Sequence, residues 1–140
     1  GKKICGILTE LRGDQDKIDY MVLGMGINVN QQSDDFPPEL KKIATSLAIA
    51  GNQFFSRANL IAEIMKELEY YYHLYLDKGF DPIRNKWESL SNLIGKKITA
   101  KTPQKEVVGV AESLSSDGSL LVRSGKELVT IYSADINSDK

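Results

Sequence analysis

The sequence predicts an α+β fold in which an antiparallel β-hairpin or small mixed sheet packs with helices, and a small β-barrel follows. Two strand-like runs separated by a polar turn open the chain. Apolar residues then recur with the 3.6-residue period of a helix between residues 56 and 78. After residue 92 the pattern changes to short strands separated by turn residues.

The opening runs span residues 2–11 and 17–30, and the RGDQD segment between them is typical of a turn. Together they predict an antiparallel hairpin. The polar segment QQSDDFPP at 31–38 predicts a loop. Pro38 favours a short helical turn directly after it, because its fixed φ suits the first turn of a helix.

Three helices are predicted in the middle of the chain. The first covers 44–51, where Thr45 or Ser46 can cap the N-terminus and Gly51 can end the helix. The longest begins after Ser56 and ends at Lys78, before a glycine.

Asp81 and Pro82 provide an N-cap and an N1 proline for the third helix, which directs Trp87 and Leu90 toward the core. Four short strands then follow, at residues 97–102, 107–114, 120–123 and 128–132. So many short strands in so few residues favour a small SH3-like barrel. We therefore expect two domains, 1–92 and 93–140.

Composition and charge exclude several classes of function. The 140 residues carry a formal net charge of −1, which gives no field to attract nucleic acid or an anionic membrane. No apolar run approaches the roughly 20 residues of a membrane span. The single cysteine, Cys5, leaves no internal disulfide, which agrees with a cytoplasmic location. His73 is the one histidine, and no spacing of ligand residues predicts a metal site.

The segment GMGINVN at 24–30 is unusual for a strand, because glycines and asparagines occupy every second position. Alternate residues of a strand share one face, so Gly24, Gly26 and Asn28 line up together. We call Gly24 and Gly26 the glycine ledge. A bare ledge lets a ligand lie against the backbone, and an amide beside it can donate and accept hydrogen bonds. A β-bulge or tight helix packing explains the glycines equally well.

The partner strand offers Lys3 and Gly6 beside this ledge. An ammonium group there could attract a carboxylate or a phosphate. The alternative is an ordinary solvated lysine at a strand end.

Several segments taken in order resemble biotin–protein ligases. They are KKICGIL, VLGMGINVN, FPPEL, IATSL, the long helix, and WESLSNLIGK with the strands after it. The resemblance covers the whole chain. It implies the C-terminal part of the catalytic domain, followed by the SH3-like domain. The family's glycine- and arginine-rich loop, which precedes the catalytic lysine, is not in this sequence.

The resemblance also implies roles for individual residues. The catalytic lysine of the family corresponds to Lys3. The residues implied to bind biotin or the adenylate are Lys3, Gly6, Gly24, Gly26, Asn28, Ile43 and Ala44, of which the last two would flank the adenine.

The implied reaction makes biotinyl-5′-AMP from biotin and ATP, with Mg²⁺, and transfers biotin to a lysine of a biotin carboxyl carrier protein. The N-terminal half of the ligase is then a further partner, a homodimer is left open, and the segment alone is expected to be inactive. Two alternatives stand beside this: a non-enzymatic interaction module, and a fragment of a related lipoate ligase.

Overall fold

A computed structural model describes residues 1–14 and 17–138, so the tip of the predicted opening turn and the last two residues lie outside the described part. The chain divides into two compact units, Gly1–Met65 and the residues from Lys66 onward. Antiparallel sheets and three α-helices make it an α+β protein, as the sequence predicts. The domain boundary at residue 92 stays a prediction.

The opening hairpin pairs β1 (Cys5–Gly13) with β2 (Ile18–Ile27) in antiparallel register. Both strands are shorter than predicted. β2 ends early because the carbonyl groups after it accept hydrogen bonds from the start of a helix: Leu47 N donates to Asn28 O, and Ala48 N to Val29 O.

The short helix α1 (Leu47–Gly51) begins after Ser46, whose Oγ accepts a hydrogen bond from Ile49 N at 3.1 Å. Of the two candidate caps, the structure therefore selects Ser46. The helix ends at Gly51, as predicted, and the left-handed residue that follows it is Asn52, with φ of 48°. Asparagine tolerates this conformation better than most residues.

The long helix α2 (Arg57–Lys78) ends at Gly79, which has φ of 71°. Helix α3 (Asp81–Leu90) follows at once, and two details of its prediction were wrong. The N-cap is Phe80 and provides no side-chain hydrogen bond, while Asp81 already lies in the helix and pairs with Arg84 at 3.0 Å. Leu90 and Trp87, both expected to point toward the core, are 74% and 42% exposed.

A five-stranded antiparallel sheet occupies the end of the described chain. Its strands are β3 (Lys97–Lys101), β4 (Glu106–Leu114), β5 (Leu120–Ser124), β6 (Glu127–Ile131) and β7 (Asp135–Ser138). Their order is β6-β5-β4-β3-β7, so the last strand pairs with the first. The sequence analysis had not predicted β7. Within the described residues, no helix is both long enough and apolar enough to cross a membrane.

Alternating side chains of this sheet form its core on one face. The buried residues are Ile98, Ala100, Val107, Ala111, Leu120, Val122 and Ile131. Gly109 lets two strands approach closely, because a Cβ there would collide with the carbonyl oxygen of Arg123. Helix α3 is joined to the sheet by Glu88, whose Oε1 accepts a hydrogen bond from Leu114 N at 2.7 Å.

We expect Glu88→Ala to lower the free energy of unfolding by about 1–3 kcal/mol, because the Leu114 N–H loses its acceptor in a partly buried position. Urea denaturation measures the change. Glu88→Gln is the matched control, since its amide oxygen can still accept. If Glu88→Gln lowers the free energy of unfolding as much as Glu88→Ala does, the stabilisation comes from the carboxylate charge and not from the hydrogen-bond acceptor.

A second expectation concerns Asp117 in the β4–β5 turn. Hydrogen bonds from the side chains of Ser115 and Ser119 lower the pKa of Asp117 from 3.8 to about 2. A carboxylate with a depressed pKa stabilises the fold above its unfolded-state value, and this contribution is lost as the pH falls through the folded value.

Asp117→Asn should therefore be less stable than the parent at neutral pH, and the difference should shrink between about pH 4 and pH 2. Thermal unfolding at several pH values measures it, with Glu127→Gln, at an exposed position of β6, as the control. A difference between Asp117→Asn and the parent that is the same at pH 7 and pH 2 would contradict this origin.

Candidate functional site

A parallel bridge between Lys3 and Ala44 brings together two segments that are distant in sequence. Lys3 N donates to Ile43 O at 2.7 Å, and Thr45 N donates to Lys3 O at 2.9 Å. The strand segment before β1 therefore pairs on one side with residues 43–45. On its other side it pairs with the end of β2, through the bond from Asn28 N to Ile4 O at 2.9 Å.

A cavity of about 550 Å³ opens at this junction in the first unit. Its lining residues are Lys3, Cys5, Gly6, Gly26, Asn28, Gln31, Asp35, Phe36, Leu40, Ile43 and Ala44. Six of the seven candidate site residues are among them. The exception is Gly24, which pairs with Leu8 on β1, beyond the Gly6–Gly26 pair.

The glycine ledge is part of a regular strand. Gly26 pairs with Gly6 and Gly24 with Leu8, without a register shift at this end of the hairpin. A Cβ at Gly26 would lie 3.9 Å from the Gly6 carbonyl oxygen, and one at Gly24 would lie 3.7 Å from that of Leu8. Among the described residues, neither a bulge nor a close-packed helix requires these two glycines.

Gly6 lies beside the side chain of Lys3. A Cβ at this position would lie 3.8 Å from Lys3 Cε and 3.9 Å from Lys3 Nζ, which are ordinary contact distances. The end of the lysine side chain is therefore next to Gly6. Lys3 is the one cationic residue that lines the cavity in the described part of the chain.

Asn28 is oriented by the backbone beneath it. Its Nδ2 donates to Thr45 O at 3.0 Å, which leaves Oδ1 as an acceptor beside the cavity. Ser46, fully buried, donates from Oγ to Gln31 O at 2.6 Å. These two bonds attach Asn28 and Gln31 to the segment at residues 45–46.

Asn30 has a structural role instead. Its Oδ1 accepts from Phe55 N at 3.0 Å, and its Nδ2 donates to Phe55 O at 2.9 Å. Both ends of the amide are thereby used to attach the segment before α2 to the end of β2. The two asparagines of GINVN thus differ, since one lines the cavity and the other fastens the chain.

The sequence analysis missed five lining residues: Cys5, Gln31, Asp35, Phe36 and Leu40. Four of them lie between β2 and the bridge, in the segment predicted as a loop and a helical turn. Phe36 is 9% exposed. As the one aromatic residue in the polar segment QQSDDFPP, it could have indicated that this loop packs against the rest of the unit. Gln31 has a buried Oε1 without a hydrogen-bond partner among the described residues.

The cavity is chemically divided. It offers a cation, Lys3, a carboxylate, Asp35, and the amides of Asn28 and Gln31, together with an apolar part formed by Phe36, Leu40, Ile43 and Ala44. In the part of the chain that the structure describes, no three His, Cys, Asp or Glu residues come together as a metal site. The arrangement suits an anionic ligand with a flat apolar ring.

Comparison with known proteins gives a consistent family. Residues 93–137 match the family described as biotin protein ligase C terminal domain. The chain is 44% identical over 136 residues to the bifunctional ligase/repressor BirA of Bacillus spizizenii, covering 97% of this chain and 42% of that protein. BirA of Escherichia coli is 28% identical over 121 residues, with 86% and 37% covered.

Solved structures agree with this result. The biotin protein ligase from Aquifex aeolicus in complex with biotin and ATP superposes with a TM-score of 0.83 and 26% identity, over 99% of this chain and 57% of that one. The chain spans about two fifths of the length of the curated relatives it matches. Residues 93–137 thus belong to the biotin protein ligase C terminal domain family, and nearly the whole chain is related to biotin protein ligases.

Proposed function

We propose that this chain is the C-terminal part of an ATP-dependent biotin protein ligase, and that its cavity holds the adenylate side of biotinyl-5′-AMP. One observation carries the proposal. The Lys3 ammonium, the Gly6–Gly26 pair and the apolar residues around Phe36 line a single cavity, inside a span related to ligases throughout. A relative solved with biotin and ATP supports the same pair of substrates.

Lys3 would stabilise the reaction between two anions. A carboxylate oxygen of biotin attacks the α-phosphorus of ATP, and the bond from that phosphorus to the pyrophosphate breaks. A fixed ammonium group neutralises the charge that gathers on the phosphoryl oxygens. In the second step a carrier-protein lysine attacks the acyl carbon, loses its proton, and AMP leaves.

The apolar part of the cavity would receive the adenine. Ile43 and Ala44 enter it from the bridge, and Phe36 and Leu40 from the loop before the bridge. A purine is flat and largely apolar on its faces, so it gains from burial against such side chains. The Gly6–Gly26 pair, and Gly24 beyond it, would let the acyl part of the ligand lie on bare backbone.

Mg²⁺ would be held chiefly by the phosphates of ATP. Asp35 is the one carboxylate among the described residues that line the cavity. Mg²⁺ in nucleotide sites commonly uses one or two carboxylates together with substrate phosphates and water. This donor set therefore fits a metal that arrives with ATP.

The proposed partners are a biotin carboxyl carrier protein and the preceding half of the ligase. Both faces of the opening hairpin carry exposed apolar side chains: Ile7 is 67% exposed on one face and Leu8 is 64% exposed on the other. An apolar surface of this kind needs a cover. Homodimerisation is left open, and the use of ATP supports a cytoplasmic location.

The five-stranded sheet is proposed to be the family's SH3-like domain, with pairing of β7 and β3 as its support. The function is tested by combining this segment with the preceding segment of the same gene and assaying adenylate formation. Biotin and ATP should give biotinyl-5′-AMP only when both segments are present. Lipoate replaces biotin in a parallel assay, and preferential use of lipoate would move the protein to the lipoate ligases.

In the full-length parent, Lys3→Ala should lower the rate of adenylate formation by roughly 10²- to 10³-fold, as expected for a fixed charge at the reacting oxygens. Pyrophosphate release measures the rate. Lys2→Ala is the control, because Lys2 Nζ donates to Lys41 O and is not a lining residue of the main cavity. A Lys3→Ala enzyme within threefold of wild type would exclude the proposed role.

Gly26→Val should weaken biotin binding in the parent by at least about tenfold without unfolding it, since a branched side chain would occupy the ledge. The structure leaves room for a Cβ there, so stability should change little. Isothermal titration measures affinity, and circular dichroism checks the fold. Met25→Val, on the other face of β2, is the control. Unfolding of the Gly26 variant would show instead that the glycine serves packing.

A further inference from the structure

The polar side chains that line the cavity offer more hydrogen-bond acceptors than cationic donors. Lys3 provides the one ammonium among the described lining residues, whereas oxygen acceptors come from Asn28, Gln31 and Asp35. Asn28 uses its amide N–H for Thr45, and Gln31 has an unpaired Oε1. A complementary ligand therefore needs an anion at one end and hydrogen-bond donors elsewhere.

Asp35 is held in position by its own loop. It closes the short 3-10 turn Ser33–Asp35, and its Oδ2 accepts a hydrogen bond from Gln32 N at 2.7 Å. Its Oδ1 has no hydrogen bond to any residue in the described ranges. The adjacent Asp34 differs: it is 97% exposed, pairs with Lys41 at 3.0 Å, and does not line the cavity.

A carboxylate in a site for anionic ligands has an unfavourable charge unless it faces a donor. Biotin and ATP together carry three kinds of donor: the ureido N–H groups, the adenine amine and the ribose hydroxyls. Asn28 and Gln31 offer neutral amide oxygens, whereas Asp35 offers the one carboxylate among the described lining residues. A charged acceptor makes stronger hydrogen bonds than a neutral one, and a carboxylate can accept from two neighbouring hydroxyls. The ribose hydroxyls are therefore the donors that suit Asp35.

We propose that Asp35 accepts hydrogen bonds from the ribose hydroxyls of the adenylate, so that this loop makes the site selective for ribonucleotides. The inference rests on the proposed function, because it takes the cavity to be the nucleotide site. Asp35 acts by binding and takes no part in proton transfer. Since it is exposed to solvent, each hydroxyl replaces a water, and the net gain is moderate.

The test uses this chain combined with the preceding segment of the ligase, and three nucleotides: AMP, 2′,3′-dideoxy-AMP and inosine monophosphate. Binding is measured by isothermal titration in EDTA, so that a metal bridge to Asp35 cannot contribute. AMP should bind about tenfold more tightly than the dideoxy compound, as expected for a hydroxyl on a charged acceptor. Asp35→Ala should remove this preference, and Asp34→Ala should keep it.

Four results would overturn the proposal. The first is that the parent binds AMP and dideoxy-AMP equally well, and the second is that Asp35→Ala weakens the binding of both by the same factor. The third is that Asp35→Ala loses the preference for AMP over inosine monophosphate and keeps the preference for AMP over dideoxy-AMP. The fourth is that the parent does not bind AMP at millimolar concentration. Adenylate formation by the combined segments is scored separately. If the combined segments form the adenylate but show no ribose selectivity, this inference fails and the proposed function stands. If they show ribose selectivity but form no adenylate, the cavity is a nucleotide site and the proposed ligase function fails.

Discussion

The candidate site depends on one backbone interaction, the parallel pairing of residue 3 with residues 43–45. Both main-chain groups of Lys3 are used, with hydrogen bonds of 2.7 and 2.9 Å. This pairing brings the lysine from the start of the chain to the apolar residues Ile43 and Ala44. It also determines the path of the loop between them, which supplies Phe36 and Asp35 to the same cavity.

Around this pairing, further hydrogen bonds connect the segment after β2 to the start of α1. The N–H groups at the start of α1 donate to the carbonyl groups that follow β2, and Ser46 joins the same network from a fully buried position. Because these donors are used internally, the start of α1 offers none of them to a ligand. Recognition is left to side chains: Lys3 for the anion, and amide and carboxylate oxygens for donors.

The similarity of the chain to biotin protein ligases gives these features a chemical setting. The proposed reaction joins a carboxylate to a phosphate, so a cation and a bare backbone surface are the expected requirements, and both lie in the cavity. The second unit has a different character. Its sheet has a continuous apolar core, and Glu88 fastens α3 to β4. The hairpin of the first unit, in contrast, exposes apolar side chains such as Ile7, at 67%.

The sequence by itself determined the periodic elements and the order of the motifs. The hairpin, α2 and strands β3–β6 follow from alternation, helical period and turn residues, which are local properties of the chain. The resemblance identified the seven candidate residues as a set, and six of them line one cavity. Their roles stay proposals.

Only the tertiary structure decided the rest. The cap of α3, the exposure of Leu90 and the short strand β7 depend on neighbours that a local pattern does not contain. The different roles of Asn28 and Asn30 could not be read from GINVN, because they depend on Thr45 and Phe55, far along the chain. Asp35 joined the site for the same reason: a polar loop carries no period, and its path is set by the segments that it connects.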